Sequence, residues 1–367
     1  MTSRNDTARE RFSDYYALPT APWDIGRPQH AFVAAGDRIG GRILDCDGGG
    51  SVMDRARRAG VAGSTGQCAG WAVVAALALL APSAPAVIIQ TTTGSGNTTA
   101  PPDDPGWAAV GARGIGTGVY VGNGWVLTAA HVWSGPITLS GSTYFAVPGS
   151  EVRLTNAGVP GMTADTDLMM YRLTVIPSGI AAPRIAAATP AVGAAVTLIG
   201  AGRDRQPGLT EWSVNTTASP WTWTEVASGG NYLGYKANMA ARSMRWGTNA
   251  LSGTGEWITY GYGDVRTVVT TFDDLRGTSE AQASYGDSGG GVFAKNGADW
   301  ELAGLMLAVA GYSGQPDAGA NAVFGNETFS ADLALYRPQI MAIVPEPSAL
   351  LLAGIGAGWL LLRRRRA

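Results

Sequence analysis

The chain has 367 residues, of which 46% are hydrophobic and 15% are charged, so it is apolar enough for a folded core and general disorder is excluded. Its 52 glycines, roughly twice the usual share, favour short strands joined by many turns over a helical bundle. The net charge is −2 and no basic stripe is visible, which excludes nucleic acid as an expected partner.

The first 86 residues predict an unassigned extension followed by an export signal. Residues 1–52 show no period or motif. A basic start, MDRARR from Met53, precedes an apolar run at 71–81 and Ala-Pro-Ala at 84–86, which is the order of a secretory signal peptide. Because this pattern lies far inside the chain, we predict that translation begins at Met53, that 1–52 is an annotation artefact and that the signal, 53–86, is cleaved. The alternative is a signal anchor with a cytoplasmic tail, although the run is short for a span of ~20 residues.

A linker and a body of short strands are predicted next. Residues 87–106 are rich in Pro, Gly and Thr and predict a linker, and residues 107–343 predict a globular domain. The segments that predict its strands are 119–121, 125–127, 168–173, 196–200, 265–272, 291–294 and 302–309. Asn123 between two glycines predicts a tight hairpin between the first two strands. Pro338 predicts the first turn of a short C-terminal helix.

The C-terminus, residues 344–367, carries a tail of three parts. Val-Pro-Glu-Pro-Ser precedes an apolar run at 349–362 and four arginines at 363–366. This order resembles the PEP-CTERM sorting signal of Gram-negative bacteria, which implies processing by an exosortase and at least transient contact with the inner membrane. The alternative is a plain membrane anchor. In both cases the arginines place the body outside the cytoplasm, in the periplasm, at the cell surface or in the medium.

Three motifs carry the residue types of nucleophilic catalysis. TAAHV at 128–132 contains His131, the only histidine after residue 86. Asp167 directly precedes the apolar segment LMMYRL, with Asp165 as an alternative two residues earlier, and GDSGGG places Ser288 in a glycine-rich turn. A serine hydroxyl needs a base to accept its proton, and the base needs an anion that orients it. Both cysteines precede residue 87, so the body has no thiolate metal site and no disulfide.

The order of these motifs excludes two other hydrolase classes. GDSGG also fits the G-x-S-x-G pattern of α/β-hydrolases, but their histidine follows the serine and no histidine follows Ser288. The subtilisin order needs an acid before His131, and only Asp103 and Asp104 in the predicted linker are available between the signal and that histidine.

Taken in the order His, Asp, Ser, the motifs resemble those of the chymotrypsin/trypsin-like serine endopeptidases over roughly 116–343. The resemblance implies an all-β fold of two six-stranded antiparallel barrels with the active site in the cleft between them. It implies that His131 is the general base, Asp167 its orienting carboxylate and Ser288 a nucleophile that forms an acyl-enzyme with a protein or peptide substrate. The amides of Gly286 and Ser288 would form the oxyanion hole. No metal or organic cofactor is implied.

Two departures from that family leave questions open. Gln282 stands six residues before Ser288, where trypsin-type members carry a specificity-setting acid, so cleavage after Lys or Arg is not expected. In activated members of that family, the freed N-terminal amine pairs with the acid before the nucleophile, which is Asp287 here. This chain lacks their Ile-Val-Gly-Gly start, so the sequence does not predict a partner for Asp287. The competing function is a catalytically silent, protease-like module that binds a partner or matrix outside the cell.

Overall fold

The computed structural model describes residues 87–344 except 92, 260 and 274–276. Within this part the chain forms 21 strands, two 3-10 helices (Trp107–Ala109 and Ala130–Val132) and one α-helix, α1 (Leu333–Ile343). The strands are, in chain order, β1 (Ile88–Ile89), β2 (Val110–Arg113), β3 (Gly116–Gly122), β4 (Trp125–Ala129), β5 (Ile137–Leu139), β6 (Ser142–Tyr144), β7 (Val152–Thr155), β8 (Asp165–Arg172), β9 (Arg184–Ile185), β10 (Ala195–Gly200), β11 (Arg203–Arg205), β12 (Thr210–Asn215), β13 (Thr222–Val226), β14 (Tyr232–Arg242), β15 (Arg245–Ile258), β16 (Val265–Thr271), β17 (Ala281–Gln282), β18 (Gly291–Asn296), β19 (Asp299–Ala310), β20 (Asn321–Val323) and β21 (Glu327–Asp332). The predicted extension, export signal and C-terminal apolar run lie outside the described residues.

Seven strands of the first half form an antiparallel sheet in the order β6-β5-β2-β3-β4-β8-β7. The hairpin predicted between β3 and β4 is confirmed, with Asn123 at φ 49° and Gly124 at φ 81°. This is the left-handed region that Asn and Gly tolerate in a tight turn. The turn fixes the register of β4, at whose end His131 lies.

The second half contains a closed barrel of six strands. They pair in the order β18-β10-β15-β16-β21-β19, and β19 pairs back with β18, while β9 adds to β19 in parallel. Each of these six strands therefore pairs with a barrel strand on both sides, and β9 occupies the edge at the start of β19 that β21 does not reach. The prediction of an all-β fold with a short C-terminal helix is confirmed. Of the two predicted six-stranded barrels, the second half forms this closed one, and the first half forms the seven-stranded antiparallel sheet described above.

The C-terminal helix begins earlier than predicted. Asp332 caps α1 by accepting the N–H of Ala334 at 3.3 Å, and Tyr336 and Ile340 are buried on its inner face. Pro338 therefore lies inside the helix, and its predicted place in the first turn is wrong. The cap and the buried face hold the preceding residues helical despite the amide donor that proline lacks.

One continuous core joins the two halves. Leu127 and Met170 of the first sheet pack in the same buried cluster as Ile199 and Leu305 of the barrel. Tyr336 of α1 belongs to this cluster as well. The core therefore fixes the ends of β4 and β8 relative to the loops of the barrel.

The chain directly after residue 86 differs from the linker interpretation. Val87, Ile88 and Ile89 are fully buried, and β1 pairs antiparallel with β17. Burial of these aliphatic side chains stabilises the start of the segment on the body. Residues 87–89 are therefore a buried part of the folded body and not a free linker.

A third sheet was not predicted from the sequence. It contains β11, β14, β12 and β13 in that order, with β20 paired to β14. An aromatic cluster packs on this sheet; its members are Trp212, Trp221, Trp223, Tyr232 and Tyr312. In the part of the chain that the structure describes, no helix has the length and apolar character needed to cross a membrane.

Candidate active site

His131 and Asp167 come from neighbouring strands of the first sheet. β4 and β8 are antiparallel, with Ala129 opposite Leu168, so the 3-10 helix after β4 lies beside the start of β8. The fully buried carboxylate of Asp167 accepts the backbone N–H of His131 at 2.8 Å and contacts His131 Nδ1 at 2.5 Å. These two contacts fix the imidazole against the sheet.

Asp165, the alternative acid, has a different environment. It is exposed at the first position of β8, whereas Asp167 is buried two residues later on the same strand. The structure therefore brings Asp167, and not Asp165, into contact with the imidazole.

Ser288 lies in the loop between β17 and β18. Gly289 has φ 85°, and a Cβ there would lie 2.1 Å from the carbonyl oxygen of Thr117, so only glycine fits this close approach. The N–H of Thr117 donates to the carbonyl of Ser288 at 2.9 Å, and Thr117 Oγ1 donates to the carbonyl of Gly286 at 2.8 Å. Thr117, at the start of β3, thus binds the carbonyls of Gly286 and Ser288 and fixes this loop against the first sheet.

The amides on either side of Asp287 have the arrangement of an anion site. Gly286 adopts φ 94°, a conformation that favours glycine. Within the described residues, the N–H groups of Gly286 and Ser288 donate to no other group. They are therefore available to a developing oxyanion.

The structure does not bring Ser288 and His131 into hydrogen-bond contact. Ser288 Oγ donates to the carbonyl of Leu307 at 3.4 Å, and among the described residues it makes no hydrogen bond with the imidazole. Catalytic hydrogen bonds are often long or poorly aligned before substrate binds. The ring of Tyr262 lies 5.5 Å from the imidazole, a neighbour that sequence reasoning did not identify.

A cavity opens beside Ser288. Its walls come from the loop before Ser288, from the end of β19 and from the loop that follows; the lining residues are Ala283, Ser284, Tyr285, Ser288, Met306, Leu307, Ala308, Val309 and Gly319. None of these side chains carries a charge. Gln282 adjoins the wall through Ala283 and is fully buried, with Nε2 donating to the carbonyls of Ala283 and Ala318.

Comparison with known families accounts for this arrangement. A model described as the trypsin-like peptidase domain matches residues 116–305, just over half of the chain. The chain belongs to the trypsin-like peptidase family. A second model, the PEP-CTERM protein-sorting motif, matches residues 344–366, so the trypsin-like peptidase domain is followed by that motif.

Solved structures similar to this trypsin-like peptidase include neuropsin, a serine protease from mouse brain, with 17% identity over 68% of this chain and 98% of the other at a TM-score of 0.42. A mutant of human heparin binding protein shares 17% identity over 69% of this chain and 97% of the other, at a TM-score of 0.41. No curated protein matches the chain. Likenesses this distant bear on neither substrate nor mechanism.

The trypsin-like peptidase buries Asp287 in the loop that carries Ser288. The side chain is fully buried and accepts the N–H of Ser284 and the N–H of Gly202, each at 2.8 Å. Burial raises the pKa of Asp287 to about 7, although the amides of Ser284 and Gly202, the charge of Arg242 and the amide of Val87 lower it.

Arg242, at the end of β14, is a second feature that the sequence did not reveal. Its guanidinium donates to the carbonyls of Ala201, at 2.6 and 2.9 Å, and of Gly116, at 3.0 Å, and it lies against Gly286. It links the first sheet to the barrel beside the loop that carries Ser288. Only the fold brings β14 to this position, so no local pattern could have indicated it.

Proposed function

We propose that this trypsin-like peptidase is an exported serine endopeptidase that hydrolyses peptide bonds through an acyl-enzyme. The observation that carries the proposal is the buried carboxylate of Asp167, which holds both the backbone N–H and Nδ1 of His131. A carboxylate in that position orients an imidazole and stabilises its protonated form.

The proposed mechanism assigns one role to each group. An ionised carboxylate only accepts hydrogen bonds, so Asp167 keeps the imidazole proton on Nδ1 of His131 and leaves Nε2 free to accept the proton of Ser288. Ser288 Oγ attacks the substrate carbonyl, and the amides of Gly286 and Ser288 stabilise the oxyanion. His131 then gives the proton to the leaving amine, and water releases the acyl group from Ser288.

The cavity beside Ser288 supports a preference for uncharged, apolar side chains at the residue before the cleaved bond. Ala283 and Val309 present aliphatic groups, and the ring of Tyr285 closes the wall near Gly319. Burying a Lys or Arg head group among these uncharged side chains is costly. The nearby carboxylate of Asp317 already accepts hydrogen bonds from Tyr285 and Gly319 at the wall. Gln282 is buried and its amide is uncharged, so it does not provide a charged partner for such a head group.

Export is supported by the C-terminal sorting motif and by the signal-like sequence before residue 87. The proposed location is the periplasm, the cell surface or the medium of a Gram-negative bacterium, with an exosortase-type enzyme as processing partner. The tail would contact the inner membrane until it is processed.

The test of the enzymatic proposal is covalent labelling with a fluorophosphonate probe, together with turnover of a casein-derived peptide mixture. Ser288→Ala should abolish labelling, and Ser288→Ala and His131→Ala should each lower kcat by about 10⁴-fold or more, because triad members act as a unit. Ser142→Ala, on the exposed edge strand β6, is the matched control and should label like the unchanged protein.

Two outcomes would contradict this proposal. Full turnover by either purified variant would refute the roles assigned to Ser288 and His131. Absence of both labelling and turnover in a folded, processed protein would favour the silent binding module, in which Ser288 Oγ keeps its bond to Leu307.

A further inference from the structure

Three large apolar residues are exposed close to one another beside the first sheet. Phe145, Val175 and Ile176 are 60%, 62% and 57% exposed. The N–H of Thr174 donates to the carbonyl of Phe145 at 2.9 Å, so residue 145 lies beside the segment that carries the other two. A single exposed apolar side chain is ordinary, whereas a group of large ones marks a contact surface. We name Phe145, Val175 and Ile176 the apolar patch.

The chain leaves the described body beside the apolar patch. A Cβ on Gly124 would lie 3.4 Å from the side chain of Ile176, and a Cβ on Gly122 would lie 3.5 Å from that of Val344, the last described residue. Both glycines belong to the turn between β3 and β4. The apolar patch and the exit of the chain therefore flank the same tight turn.

The surroundings of the apolar patch carry a positive charge and no acid. The segments that meet there contain neither Asp nor Glu; they are 121–125, 143–149, 172–182 and 340–344. Their one charged residue is Arg172, which is exposed at the end of β8. Apolar side chains beside a cation, without acids, are the composition that binds the interface of an anionic phospholipid bilayer.

The sequence after Val344 brings a membrane to this face. Residues 345–348 can reach at most about 14 Å, and the apolar run at 349–362 and the arginines at 363–366 follow. As a helix, the 14 residues of the run would measure about 21 Å, which is less than the ~30 Å of a hydrocarbon core. A chain inserted with its arginines on the cytoplasmic side would therefore draw the exit face of the body into the headgroup region.

We propose that the apolar patch, with Arg172 at its edge, docks on an anionic phospholipid bilayer while the apolar run at 349–362 is inserted in it. The inference rests on the proposed export of the body, and it adds a second contact to a run that is short for an anchor. Two weak contacts together hold a protein on a membrane far better than either alone. Three side chains are too few to cover a run of 14 residues, which favours lipid over the tail itself as the occupant.

Docking in this way turns the active site away from the lipid. Arg172 lies opposite Trp125 at the patch end of β4, and Leu168 lies opposite Ala129 at the other end. His131 lies two residues beyond that other end. Because five strand residues span about 14 Å, the site would face proteins outside the membrane while the body is docked.

The test uses the full chain in vesicles of phosphatidylethanolamine and phosphatidylglycerol. The photo-cross-linking residue p-benzoylphenylalanine replaces Phe145 in one form and Trp133 in the matched control. Trp133 is 61% exposed and follows His131 at the far end of β4. After flotation and irradiation, mass spectrometry should find lipid adducts at least about 10-fold more often at 145 than at 133, because an interfacial contact reaches only the docked face.

Three outcomes would overturn the inference. Equal yields of lipid adducts at 145 and 133, or none at 145 in protein that floats with the vesicles, would refute docking and leave the proposed endopeptidase intact. Cross-links from 145 to residues 349–362 would show that the tail covers the apolar patch. A full chain that does not float at all would refute the membrane contact of the proposed function, and the docking with it.

A partition measurement gives the strength of the contact. Phe145→Ser, Val175→Ser and Ile176→Ser together should lower the vesicle partition coefficient of the full chain by about 10-fold or more, because the tail is unchanged and only patch area is lost. Ile115→Ser with Trp133→Ser removes exposed apolar area elsewhere and should partition like the unchanged chain. Circular dichroism verifies folding. A triple variant that partitions like the unchanged chain, or no better than this control, would refute a specific docking face.

Discussion

At the scale of single residues, the candidate site depends on which acid of β8 contacts the imidazole of His131. Asp167 is buried and its carboxylate contacts Nδ1, whereas Asp165 is exposed. The sequence favours Asp167 because it directly precedes the apolar strand. The free amides of Gly286 and Ser288 follow from the glycine-rich turn. The bond from Ser288 Oγ to Leu307 could not be predicted, because it depends on a strand that follows 19 residues later and folds back.

The two acids of β8 allow a sharp test of the assigned orientation. Asp167→Asn is expected to lower kcat by about 10⁴-fold, because an amide can donate to Nδ1 and stabilise the wrong imidazole tautomer. Asp165→Asn, exposed on the same strand, should leave kcat unchanged. Steady-state kinetics on the processed protein, with circular dichroism to verify folding, would decide. Equal kcat values for the two variants would remove Asp167 from the mechanism.

At the scale of elements, the strands with apolar runs were predictable and those defined by distant partners were not. The predicted strands at 196–200 and 302–309 correspond to β10 and β19. The composition of residues 87–106 predicts a linker and does not indicate β1, because only two residues of β1 pair and their partners on β17 lie more than 190 positions away. The third sheet is not predicted because its alternating segment is short: Trp212 and Val214 alternate with polar residues in β12, whereas β13 is mostly polar and exposed.

The cavity formed by β19 and its two neighbouring loops carries the element-scale prediction. A Cβ at Gly319 would lie 3.0 to 3.2 Å from the ring of Tyr285, so Gly319→Val should force the ring inward and narrow the cavity. We expect kcat/KM for peptides with Leu or Phe before the cleaved bond to fall by about 10-fold or more relative to Ala, within the range that a hydrophobic pocket achieves.

Competition between such peptides in one reaction measures that ratio directly, and the Ala peptide is the internal control. Lys and Arg peptides should be poor substrates of the unchanged protein. A preference for Lys or Arg, or a Leu-to-Ala ratio that Gly319→Val does not change, would show that this cavity does not receive the substrate side chain.

At the scale of the whole molecule, the sorting motif at residues 344–366 bears on how the chain is processed during export. Under the proposed function, the signal before Val87 and this motif would both be processed as the chain leaves the cytoplasm. The described body, with α1 ending at Ile343, directly precedes the sorting motif.

The last prediction concerns the fate of that motif. The two prolines after Val344 lie outside the described residues, and their sequence predicts that the helix does not continue and that a processing enzyme reaches this segment. The apolar run at 349–362 is shorter than the ~20 residues of a stable span, so it should hold poorly as a permanent anchor. Intact-mass analysis of protein from the native host should therefore show a chain that begins at Val87 and ends near Pro347.

Replacing the four arginines at 363–366 by serine should misdirect the protein in cells and leave kcat of the processed body unchanged. A mature mass that retains these arginines, in protein that stays in the inner membrane, would identify the tail as a plain anchor.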